Sequence, residues 1–180
     1  LVGKPYSLTL HNEDEDIERY FHGISHSAGY LRYGDKYTSY QINLIPSIGL
    51  LAWRRNSRIF QNKTVPDILR QVLEQAGIIS TYYRFVLQAS YPTRDYCVQF
   101  NETDLDFIHR LMAEAGVYYY FEHYADKHTL VMADGHSAHG EIEEPEILYK
   151  RRTGMVPGES VIEQFDTLER LRSGKASRRD

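Results

Sequence analysis

A chain of 180 residues and 21.0 kDa, 42% hydrophobic and 26% charged, is long enough to bury a core as one or two soluble domains. Its net charge of −4 and pI near 6.1 supply no global field to draw it to nucleic acid or an anionic membrane. A single cysteine, Cys97, excludes an internal disulfide framework and a multi-cysteine zinc site, and suits a reducing compartment.

The first third reads as β structure. In YSLTL, Tyr6, Leu8 and Leu10 alternate with Ser7 and Thr9, the two-residue period of a half-buried strand. The acidic run over 13–16 predicts a polar turn before RYFHGIS. SYQINLI alternates again, with Tyr40, Ile42 and Leu44 opposite Ser39, Gln41 and Asn43. Short strands between polar turns predict an antiparallel meander or a small barrel.

The middle changes character. Thr64, with Asp67 three residues on, is a capping-box-like helix start, and Pro66 falls in the first turn, where its missing N–H costs nothing. Ile68, Leu69, Val72, Leu73 and Ala76 form one apolar stripe, and Gly77 fits the C-terminal stop. The plan returns 39 positions later: NKTVPDILRQVLEQAGI lies over NETDLDFIHRLMAEAGV, with Asn, Thr, Asp, Ala and Gly matched at 62/101, 64/103, 67/106, 76/115 and 77/116. Either a helix–strand unit is duplicated or two helices converge on good capping chemistry. Convergence is preferred, because caps and stripes are the commonest helix signals. Both readings predict two helices, each followed by a strand, with Gly77 and Gly116 in the left-handed conformation.

VYYYFEHY after Gly116 reads as a strand of bulky residues, and residues 125–128 as a polar turn into TLVMA, which makes a β-hairpin. Residues 133–158, rich in Gly, Pro, His and Glu, read as a connector. Beyond them, Val161, Phe165, Leu168 and Arg172 are spaced for a helix, while QFDTLERL also suits a strand, so periodicity leaves 160–172 open. The class is α+β: mainly antiparallel β, with an inserted section of two helices and a hairpin over 61–134.

The window 101–123 looks reactive, with acids, histidines and three consecutive tyrosines. Asp104 and Asp106 lie in a first helical turn, where negative charge stabilises by about 0.3–1 kcal/mol without any catalytic duty. Two residues apart on a helix they point about 200° away from each other, unlike the facing carboxylates of a glycosidase. His109 and Glu114 sit on different faces, five residues apart. His123 and His128 flank a turn, and His136 with His139 has no third ligand nearby, so exposed loop histidines are the reading for them. Ser25 beside His26 is not G-x-S-x-G, and Cys97 in YCVQF reads as a buried strand residue. Arg54, Arg55, Arg58 and Lys63 form a basic patch without an acid, read as a solvated loop. Tyr118, Tyr119 and Tyr120 alternate faces and cannot stack on one base. The 15 tyrosines point instead to half-buried sheets and interfaces. No catalytic, cofactor-binding or metal residue is predicted. No run approaches the roughly eighteen apolar residues of a membrane span, and the chain begins at Leu1 without Met, as expected of a piece of a longer protein.

SRIFQNKTVPDILRQVL, SYPTRDYCVQFNETDLDFIHRLMAEAGVYYYFEH and KHTLVMAD closely resemble the hub region of the VgrG (valine-glycine repeat) family, the spike proteins of the type VI secretion system. LVGKP and RYFHGI resemble that family's first barrel, so the likeness spans essentially the whole chain. The region is similar to the tail hub protein of T-even phages. The resemblance implies two related β-barrels with α/β elements between them, in three copies around a threefold axis. Residues 1–60 would belong to the first barrel, 61–134 to the α/β section, and 135–180 to a connector and the start of the second barrel, with strands over 160–176. The function it implies is mechanical: a homotrimeric hub seated on the hexameric Hcp tube, carrying an OB-fold and a β-helical needle tipped by a PAAR protein. Baseplate components and effectors are further implied partners, as are assembly in the bacterial cytoplasm and then secretion or delivery into a target cell. An effector domain fused beyond this chain stays compatible with it. The alternatives are a contractile phage tail hub, a cell-wall hydrolase or a carbohydrate-binding domain.

Overall fold

The computed structural model of the chain describes residues 2–12, 17–33, 37–140, 146–149, 161–162 and 164–169. Two units follow one another, residues 1–138 and 139–180. In the first, β1 (Pro5–Asn12), β2 (Ile17–Tyr33) and β3 (Thr38–Ile45) form an antiparallel sheet in the order β1-β2-β3. The alternation in YSLTL and SYQINLI is thus strand alternation, while the turn expected over 13–16 lies outside the described residues. Four of the six apolar positions nevertheless stay exposed, among them Leu8 and Leu10 by 53% and 50% and Tyr40 by 71%. Alternation tells which face is apolar, not whether anything covers it. The β2–β3 register breaks between Ser25 and Ser27 and again between Tyr30 and Arg32. Such breaks re-aim side chains, and His26 at the first of them stacks on Trp53 at 5.1 Å.

A 3-10 helix, Ser47–Trp53, follows Pro46 and buries Ile48 and Leu51 at the three-residue spacing of that helix. β4 (Arg55–Lys63) then leads into α1 (Val65–Gln75) and β5 (Tyr83–Val86); β6 (Arg94–Thr103) leads into α2 (Asp104–Ala115) and β7 (Tyr118–His123). β8 (His128–Ala133) and a short 3-10 turn, His136–Ala138, close the unit. β4 pairs antiparallel with β6, and β8 sits between β5, to which it is parallel, and β7, to which it is antiparallel. All six residues of the central strand β8 are buried, the polar His128 and Thr129 as well as the apolar run from Leu130 to Ala133.

Both helices start as expected. Thr64 and Thr103 accept hydrogen bonds from the backbone N–H of Asp67 and Asp106, at 3.3 and 3.0 Å, and each threonine hydroxyl donates back to the same aspartate at 2.6 Å. Both stops are left-handed, with φ of 84° at Gly77 and 68° at Gly116. The likeness reaches further than capping. Asn62 and Asn101, matched in the sequence overlay, have φ of 52° and 47° and are the non-glycine residues with positive φ among those described. Capping chemistry does not require a left-handed asparagine two residues before the cap. The repeated strand–helix–strand order, with β5 and β7 on either side of β8, also favours a duplicated unit over the convergence preferred from sequence.

The core lies where the helices meet the β4–β6 ribbon. Ile68, Leu69, Val72 and Leu73 of α1 and Phe107, Ile108, Leu111 and Met112 of α2 are all buried, and Phe60 stacks on Phe107 at 5.5 Å. Among the described residues the sheets stay open, in groups of two and three strands, and no closed barrel forms. No helix there is long and apolar enough to cross a membrane. In the second unit β9 (Leu148–Tyr149) pairs parallel with β10 (Val161–Ile162). Most of the connector and residues 160, 163 and 170–176 lie outside the described residues; 161–162 are strand and 164–169 are neither helix nor strand, so among the described residues the strands expected over 160–176 are found only at 161–162.

Candidate functional site

The most heavily satisfied polar position is Asp104, the first residue of α2. Its side chain is 0% exposed and accepts from Arg54 Nε at 3.1 Å, Asn56 Nδ2 at 3.0 Å, Gln99 Nε2 at 2.8 Å and the Arg58 guanidinium. Burial pushes the carboxyl up, but those donors and the Arg58 charge outweigh it and hold the group below its ordinary value. Arg54 also donates to the carbonyl of Gln75 at 3.0 Å, and Arg58 to the Gln75 side chain. One cluster therefore ties the C-terminus of α1 to the N-terminus of α2, and each charge sits at the dipole end that favours it. This corrects one sequence reading and extends another. The basic patch has its acid fifty residues later, and Asp104, in the first turn of α2 as expected, is in addition a buried tie. Arg55 bonds the carbonyl of Asn101 instead.

Asp106 is exposed and serves its cap, pointing away from Asp104 as the helical spacing requires. His109 is half-buried and stacks on Tyr119 at 5.6 Å, its Nε2 3.1 Å from the phenol oxygen. Glu114 pairs with Arg94 at 2.9 Å and Arg110 at 3.4 Å. The structure does not bring His109 and Glu114 together. Ser25 is buried and exchanges hydrogen bonds with the Lys4 backbone at 3.2 Å, whereas His26 stacks on Trp53. Cys97 is buried opposite Phe60 in the ribbon. Tyr118 and Tyr120 donate to the carbonyls of Gly135 and Ala138 at 2.8 and 2.6 Å, pinning the chain after β8 to β7.

The exposed reading of the histidines holds for His136 and His139 and fails for His123, which is half-buried at the end of β7, and for His128. His128 opens β8 and is 2% exposed. Burial, with His22 and His123 nearby, pushes its pKa down to about 4. His22, on β2, carried no sequence signal, since its partners lie about a hundred positions away. Among the described residues no group of three acids, histidines or cysteines is arranged to hold a metal.

Several large apolar side chains remain exposed. On the outer face of the ribbon, Ile59, Tyr96, Val98 and Phe100 are 58%, 55%, 40% and 78% exposed, and Ile59 pairs directly with Val98. Together with Leu8, Leu10 and Tyr40 on the β1–β3 sheet these are among the large exposed apolar side chains of the first unit's strands. The family model described as phage tail baseplate hub (GPD) matches residues 1–180. The chain belongs to the phage tail baseplate hub family. It is 40% identical over 180 residues to the type VI secretion system spike protein VgrG4b of Pseudomonas aeruginosa, covering all of this chain and 22% of that protein. It is 40% identical over 145 residues to the actin cross-linking toxin VgrG1 of Vibrio cholerae, 81% of this chain and 13% of the toxin. A solved E. coli component of the type VI secretion system, described as structurally similar to the T4 bacteriophage tail proteins gp27 and gp5, superposes with a TM-score of 0.64 at 27% identity, over 76% of this chain and 37% of that one. The chain thus spans about a fifth of the length of the spike relative.

Proposed function

We propose that this hub-family chain is the hub section of a type VI secretion spike and acts mechanically, not as a catalyst. The observation that carries the reading is the match along all 180 residues to a baseplate hub family, together with 40% identity over the same 180 residues to a named secretion spike. Three copies would assemble around a threefold axis, covering the apolar faces of the β1–β3 sheet and the β4–β6 ribbon, and would seat on an Hcp tube below a PAAR-tipped needle. Residues 1–60, 61–134 and 135–180 would divide between a first barrel, the α/β section and the start of a second barrel. No residue of this chain is assigned a catalytic, cofactor or metal role. A toxin activity such as that named for the Vibrio relative would reside in sequence outside it. The test is secretion of the tube protein from cells in which the gene carrying this chain is deleted and then restored. Loss and recovery of tube secretion support the spike reading, and unaffected secretion removes it. A contractile phage tail hub is the second reading, favoured by the description of the matching family itself; neighbouring genes for capsid and tail completion would select it.

A further inference from the structure

His22, His128 and His123 meet where β2 crosses the β7–β8 hairpin and the 3-10 helix. The hydrogen bonds fix their protonation. A backbone N–H can only donate, so His128 Nε2 accepts from the Ser47 amide at 2.9 Å, with the Ser47 hydroxyl 2.7 Å away. A neutral imidazole then carries its proton on Nδ1, and His128 Nδ1 donates to His22 Nδ1 at 2.9 Å. The His22 amide in turn donates to His123 Nδ1 at 3.1 Å. All three rings therefore offer a lone pair to the junction. Phe21 packs on His123 and Phe121 on His128, each with ring centroids 5.8 Å apart, which keeps water from replacing those bonds.

We propose that this histidine junction is an acid-sensitive latch, which holds β2 and its sheet to the β7–β8 hairpin and the 3-10 helix when neutral and releases them when protonated. A proton on His128 Nε2 faces the Ser47 N–H, one on His22 Nδ1 faces the His128 N–H, and one on His123 Nδ1 faces the His22 amide. Each protonation exchanges a hydrogen bond for two opposed donors. The titratable groups facing the cluster are the histidines themselves, from β2, β7 and β8. The charge felt at His22 is that of Asp126, in the turn between β7 and β8, which favours protonation too weakly to offset burial. The 3-10 helix contributes the uncharged Ser47.

The sign follows from linkage. His128 binds its proton near pH 6.5 when released and near 4 when latched, so the closed form is fully favoured above pH 6.5 and loses ground down to about 4. Between pH 7.5 and 5.0 the opening equilibrium rises about 30-fold through this residue.

Hydrogen exchange on the 180-residue chain tests it, corrected for intrinsic rates at pH 7.5 and 5.0. Protection at the Ser47 and His22 amides falls about 30-fold or more, while core amides such as that of Leu111 do not follow. In His128→Gln, which keeps an acceptor toward Ser47 but does not titrate, the fall shrinks to under about 3-fold. Should that variant not fold, imidazole nitrogen shifts of the unaltered chain decide: His128 protonated on Nδ1 at pH 7.5, with a midpoint well below 6.5. Protection independent of pH, acid loss unchanged in His128→Gln, an Nε2-protonated His128, or a midpoint near 6.5 would each overturn the latch.

Discussion

Asp104 shows how much one side chain carries here. It is a fully buried carboxylate whose charge is met by two arginines and two amides. A buried pair adds little over an apolar replacement, but removing one partner strands the other. Asp104→Ala leaves Arg58, with its side chain 19% exposed, beside an emptied site. Urea unfolding should show a loss of about 3–5 kcal/mol. Asp106→Ala, at an exposed cap position, should lose about 1 kcal/mol or less. The pH dependence of Asp104 has a definite sign. Its folded pKa lies below the ordinary carboxylate value, so its stabilisation is complete above that value and disappears as pH falls through the folded one. Melts of the parent should therefore drop below about pH 4 by more than those of Asp104→Asn; equal drops would remove Asp104 as the acid-sensitive group. The histidine latch acts higher, between about 6.5 and 4, and the two windows separate the groups.

At the scale of the element, α2 has its energy on one stripe and its polarity on the other side. Leu111 is 0% exposed, and Leu111→Ala should lose about 2–5 kcal/mol through burial and the cavity left behind. His109→Ala and Glu114→Ala should each lose under about 1 kcal/mol, and neither should weaken tube secretion beyond its effect on folding. A His109→Ala variant that melted like the parent yet abolished secretion would give that helix an active role instead. The stop is a separate contribution. At Gly116 an added Cβ meets nothing within 4 Å, so the penalty for Gly116→Ala is the backbone's alone, about 1 kcal/mol in a thermal melt. These features were legible in the sequence because caps, stripes and stops are local: Thr103, Asp106 and Gly116 lie within fourteen residues. The partners of the buried Asp104 were not legible, for the complementary reason. Its first-turn position explains it adequately on its own, and nothing near residue 104 points to Arg54 or Arg58.

For the whole molecule, alternation predicted the strands but not their partners. That β5 would run parallel to β8 depends on α1 and α2 lying between distant segments, and periodicity carries no such information. Nor did alternation foretell that Leu8, Tyr40 and Phe100 would stay in the open. That exposure bears on assembly. An apolar residue that contributes nothing to the fold of one chain but is covered in an oligomer separates the two energies experimentally. Phe100 is 78% exposed, so Phe100→Ser should change the unfolding free energy of this chain by no more than about 0.5 kcal/mol. In the full-length protein that carries the chain, the proposed threefold hub places such faces between copies. Light scattering at micromolar concentration should give three times the chain mass for the parent and a smaller mass, or a shifted concentration dependence, for Phe100→Ser. A monomeric parent would remove the trimer. A trimer unchanged by Phe100→Ser would keep the hub but move its contacts to the β1–β3 face, where Leu10→Ser provides the matching test.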